Sequence, residues 1–165
     1  MRSHTPSALL LAATLCWAAA LPVQAAGKAD VSYLKPEEFR DAGRGVVDRE
    51  RTMATLTQYL QQLARQLPDG QTLRLEVTDI DLAGEIYPSL RLNDPRVLRG
   101  GADWPRLNLR YTLLDASRTL KSGEAQLADP AYMFSSGGRG AMGSELAYEK
   151  RMLRKWFDET IVTQR

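Results

Sequence analysis

The stretch RLNLRYTLLDASRTLKSGEAQL, residues 106–127, is where the fold becomes legible. Leu107, Leu109, Tyr111 and Leu113 share one side of an extended chain, opposite Asn108, Arg110 and Thr112. A second run from about Arg118 to Leu127 follows the short connection Asp115-Ala116-Ser117, which reads as an antiparallel hairpin. Upstream, Leu73-Arg74-Leu75-Glu76-Val77-Thr78 alternates in the same manner and predicts a half-buried strand. Val31 to Leu34 gives a short fourth strand. Between these two lies an amphipathic segment. Met53, Leu56, Leu60, Leu63 and Leu67 recur every three or four residues, so a helix is expected from an Asp48 N-cap to about Leu67. At the other end, Leu146, Leu153, Trp156, Phe157 and Ile161 mark a second helix with Ser144 as its N-cap. The order β-α-β-β-β-α predicts an α+β fold: a mainly antiparallel sheet of about four strands, with two helices on one face.

The remaining segments set the organisation. Residues 1–25 read as a cleavable secretory signal peptide: Arg2 gives a positive start, Ala8 to Leu21 an apolar run, and Val23-Gln24-Ala25 a cleavage site. Residues 26–165 are then expected as a single α+β domain, periplasmic and without a transmembrane segment in the mature chain. The lone histidine and lone cysteine of the 165-residue chain, His4 and Cys16, would leave with the leader. Triads built on imidazole or thiol, cysteine–histidine zinc sites and haem ligation are excluded on that basis, and no cofactor is expected. Net charge is only +2, which gives no reason to expect nucleic acid as a partner.

Local clusters offer weaker chemistry. Asp79, Asp81 and Glu85 put three carboxylates within seven residues, enough to suggest a calcium-binding module or a glycan-acting carboxylate pair that also draws on Asp103. The EF-hand pattern fails at Ala83 and Leu90, and the alternative is that the aspartates bond backbone amides while Gly84 makes a turn. Residues 138–143 satisfy GxGxxG without a preceding strand, so no dinucleotide site is read there. Arg91, Arg96, Arg99, Arg106 and Arg110 make the middle of the chain locally basic, either a patch for anionic groups or a solvated loop. Trp104, beside Pro105, is read as a plug at the rim of the core rather than a surface anchor.

Four segments together resemble the exported bacterial family known as domain of unknown function 3016: Phe39-Arg40-Asp41, Thr78 to Glu85, Asp103-Trp104-Pro105-Arg106, and Tyr148 to Leu153 with Trp156-Phe157. The resemblance implies a periplasmic protein and brings no catalytic residue with it. The preferred reading is a non-enzymatic binding or adaptor module for an envelope protein or cell-wall component. Candidate binding residues are Asp79, Asp81, Glu85, Asp103, Trp104, Arg106, Tyr148, Glu149 and Trp156. Adjacent helical residues point about 100° apart, so of Trp156 and Phe157 one is expected to face a partner.

Overall fold

The computed structural model describes residues 26–87, 96–134 and 145–163. Its strands are β1 (Lys28–Tyr33), β2 (Gln71–Asp81), β3 (Glu85–Ile86), β4 (Arg96–Val97), β5 (Arg106–Asp115) and β6 (Arg118–Ala128). The helices are α1 (Gly45–Ala64) and α2 (Ala147–Trp156), and α2 runs on as a π-helical turn over Phe157–Val162. The main sheet has the order β1-β2-β5-β6. Its β2–β5 and β5–β6 pairs are antiparallel, whereas β1 lies parallel to β2 because the crossover between them carries α1. The small strands β3 and β4 pair with each other in a separate two-stranded sheet.

The hairpin forms as its alternation dictates, with Leu107, Leu109, Tyr111 and Leu113 buried and Ala116, at φ 52°, in the turn. β2 is longer than its alternation suggested. A bulge between Val77 and Asp79 breaks the period of two, so Ile80 returns to the inner face and pairing continues to Asp81. α1 begins at Gly45, not after Asp48, and no side chain caps it; Asp48 instead sits in the first turn, where a negative charge suits the exposed amides. Ser144 lies outside the described residues, and Leu146 occupies the N-cap position of α2.

Leu56, Leu60 and Leu63 from α1 and Met152, Leu153, Trp156, Phe157 and Ile161 from the C-terminal helix join the inner-face residues of the sheet in one apolar cluster. Tyr111 lies opposite Gly123 on β6 and meets Trp156 edge to face at 5.5 Å. A Cβ at Gly123 would stand 2.9 Å from the Tyr111 hydroxyl oxygen, so the glycine makes room for the ring. Trp156 and Phe157 are both buried, at 6% and 0% exposure. The expectation that one of them faces a partner is therefore corrected. The sheet and α1 flank this helix on two sides, so an arc wider than 100° is enclosed. Among the described residues no helix is long and apolar enough to cross a membrane.

Candidate functional site

At the end of the sheet where β2 leaves it, the chain brings together segments widely separated in sequence. After β1, the turn at Pro36–Glu38 loops outward, and the strand direction resumes at Asp41. The Asp41 amide donates to Ile80 O at 2.9 Å and its carbonyl accepts from the Leu82 amide at 3.0 Å. This bridge fixes Arg40 and Asp41 beside the end of β2. Because of the bulge, Ile80 points inward and its two neighbours, Asp79 and Asp81, lie on the outer face of the sheet.

On that face Arg40 and Asp79 lock together twice. Arg40 Nε lies 2.8 Å from Asp79 Oδ2, and the Arg40 amide donates to Asp79 Oδ1 at 3.1 Å. Asp81 Oδ2 accepts from Arg106 Nη1 at 2.7 Å and lies 3.8 Å from Arg40 Nη1. Arg106 in turn places its guanidinium 4.4 Å over the half-exposed Trp104 ring. Trp104 thus covers a cation at the rim, in keeping with a plug that keeps one side in water.

Toward the helices a second set of contacts closes the turn between β2 and β3. Arg96 holds Asp41 through both carboxylate oxygens, at 2.8 and 3.0 Å, and also donates to Gly84 O at 2.8 Å. Gly84 has φ 78°, and a Cβ there would stand 2.6 Å from Val97 O, so only glycine fits this turn. The Gly84 amide donates to Asp103 O at 2.8 Å. The Ala83 amide donates at 2.8 Å to Oε1 of Glu149, whose side chain comes in from α2 and is 3% exposed. Burial pushes the Glu149 carboxyl above its usual range, against the opposing pull of the Ala83 amide and the Arg96 charge.

A third group ties α2 to the loops on either side. Burial opposes ionisation of Asp103, but the Arg99 amide and the Tyr132 hydroxyl outweigh it and hold the carboxyl below its usual value. Tyr132 is fully buried and its phenol is pushed up to about 12, chiefly by that burial. Tyr148 stands edge-on to Tyr132 at 4.9 Å, and Arg151 donates to Asp129 at 2.7 Å and to Tyr132 O at 2.6 Å.

Asp79, Asp81, Asp103, Trp104, Arg106, Tyr148 and Glu149 therefore gather at one end of the molecule, while Trp156 lies in the core and Glu85 is exposed on β3. The carboxylate trio does not converge. Asp79 and Asp81 are committed to Arg40 and Arg106, and among the described residues no three His, Cys, Asp or Glu side chains are placed to share a metal ion. The calcium arrangement centred on Asp79, Asp81 and Glu85 is therefore not formed among the described residues. Of the five arginines of the locally basic middle segment, Arg96 and Arg106 pair with aspartates, Arg110 bridges Glu76 and Glu124, Arg99 stacks over Tyr87, and Arg91 lies outside the described residues. So does the 138–143 glycine loop.

Arg40, Asp41, Arg96 and Tyr132 belong to this junction and were not singled out as candidates. Phe39-Arg40-Asp41 carried a signal as one of the four family-like segments; Arg96 was visible only as local positive charge. Those four segments meet here through the Arg40–Asp79, Asp81–Arg106, Gly84–Asp103 and Ala83–Glu149 contacts. No curated protein matches the chain. A family model does, over residues 27–159, and the chain belongs to the family described as protein of unknown function (DUF3016).

Proposed function

We propose that this protein is a periplasmic, non-enzymatic binding or adaptor module that engages an envelope protein. One observation carries the reading: next to the locked junction, an aromatic and apolar surface is left open among the described residues. Arg99 stacks 4.3 Å over the Tyr87 ring, and Gly100 lies against Met133, whose neighbour Phe134 is 84% exposed. Tyr87 and Met133 are themselves partly exposed. Aromatic residues, methionine and arginine are the types enriched where proteins meet, and hot spots are few and clustered. The junction behind them supports a binding role over a catalytic one. Among the described residues of the junction, the aspartates pair with arginines or accept from amides and Glu149 is shut away from solvent, so none of these carboxylates stands free to move a proton on a substrate. The leader-like residues 1–25 support the compartment.

The test is a photo-crosslinking residue placed at Phe134 in cells, with Leu120 on β6 as the control position. A discrete adduct with an envelope protein at 134 and none at 120 is expected, on a chain whose N-terminal sequence begins near Ala26. Equal labelling at both positions, or a mature chain beginning at Met1, overturns the reading.

A further inference from the structure

Among the described residues, Glu149 is the only acidic side chain that is buried, and it lies on the first turn of α2. Two charges face it: the Arg96 guanidinium, from β4, and the Asp41 carboxylate, from the bridge that follows β1. Those two already hold each other through both carboxylate oxygens, at 2.8 and 3.0 Å, and Arg96 also donates to Gly84 O. With Glu149 protonated, Asp41, Arg96 and Glu149 sum to zero charge. With Glu149 ionised, the set carries one net negative charge in a place that water barely reaches. Such a charge is costly, so enclosure favours the protonated acid, and the carboxyl is indeed raised above its ordinary 4.5. The acid keeps its hold on the Ala83 amide, because its carbonyl oxygen still accepts.

We propose that Glu149 is a proton-operated latch: protonated, it keeps the first turn of α2 seated on the turn between β2 and β3, and ionised, it withdraws to water and frees that turn of the helix. The position of Glu149 gives the latch its reach. On one side Ala83 leads through Gly84 into β3 and on to Tyr87. On the other, Tyr148 stands edge-on to Tyr132, and Arg151 donates to Tyr132 O, next to Met133 and Phe134. The start of α2 thus joins the two sides of the exposed patch, and the Ala83–Glu149 bond is a direct hold on the Tyr87 side. Once freed, the carboxyl ionises around its ordinary 4.5. The seated form is therefore complete below that value and is lost as pH rises through the raised one. Asp103, held below its usual value, and Tyr132, pushed up to about 12, keep one form each across that window. The latch bears on the patch but stands whether or not the patch has a partner.

The test is amide hydrogen exchange on the isotope-labelled protein between about pH 4 and about pH 8, corrected for the intrinsic pH dependence of exchange. Protection of the Ala83 amide should be level below 4.5 and fall by up to about tenfold per pH unit above it. The Leu82 amide, bonded to Asp41 O in the same turn, should hold steady. Glu149→Gln keeps an acceptor and cannot ionise, so its Ala83 protection should not fall. NMR titration of the Glu149 side-chain carboxyl in the parent protein should give a midpoint above 4.5, a reading that needs no variant to fold. Level Ala83 protection in the parent, the same fall in Glu149→Gln, a fall shared by Leu82, or a carboxyl midpoint at or below 4.5 overturns the proposal. None of these outcomes touches the Phe134 crosslinks, on which the patch reading is scored.

Discussion

Between the sheet and its helices, order comes from many apolar side chains that each touch several others; at the sheet's end it comes from a handful of charged side chains, each held by one or a few specific polar partners. Leu60, Leu63, Leu109 and Phe157 need only be apolar, of the right size and correctly spaced. Asp41 and Arg96, or Glu149 and the Ala83 amide, need each other in a fixed geometry. The difference teaches why the two regions respond differently to substitution. A cavity in the apolar layer costs contact area in proportion to the atoms removed. A missing partner in the junction costs the desolvation of whatever is left behind.

Phe157→Ala probes the first region at its most enclosed position and should give the largest effect, a loss of about 3–5 kcal/mol in chemical denaturation. A loss under about 1 kcal/mol would mean that the C-terminal π-helical turn is not part of the core. Arg96→Met is next. It leaves Asp41 half-buried without its two charge-assisted bonds and should cost about 1–3 kcal/mol, discounted for the water that reaches the pair. The double variant with Asp41→Asn should recover part of that loss; strictly additive losses would break the distinction between the two regions.

Glu149→Gln sharpens the comparison through pH. The carboxyl is raised above its ordinary 4.5 by burial, so stability is fullest below that value and falls as pH rises through the raised one. The glutamine can still accept from the Ala83 amide and has no such fall. Thermal melts at a series of pH values should therefore show the variant gaining on the parent protein as pH rises from acid toward neutral. A parent protein that gains instead would mean that Arg96 dominates over burial. The smallest effect belongs to Arg110→Ala, whose exposed guanidinium bridges Glu76 and Glu124 on the open face of the sheet. Its melting point should barely move, and any shift should vanish at high salt.

The readability of the chain divides along the same line. The hairpin, β2, α1 and the C-terminal helix could be placed because their apolar residues repeat at two or at three to four positions, and that repeat is a local property of the backbone. The last residues of β2 are not legible in this way, because its bulge between Val77 and Asp79 breaks the repeat. The inward position of Trp156 is not legible in the sequence, because a single helix viewed alone shows its own apolar arc, not how much of that arc its neighbours cover. At the junction the sequence could list Asp79, Asp81, Arg106 and Glu149 but not their partners. Arg40 is 39 residues from the aspartate it holds, and Glu149 is 66 residues from Ala83.

The sequence by itself determined the fold class, the layering of helices on one face of a sheet, and a mature region without imidazole or thiol if the leader is removed. Periodicity and composition are enough for these, because each is settled by short-range geometry or by counting. Only the tertiary structure decided that the aspartates of β2 pair with arginines instead of gathering for a cation, and that Trp156 faces inward. Those outcomes depend on which distant side chains arrive within about 3 Å of one another, and that distance is set by the whole packed assembly, not by any segment of it.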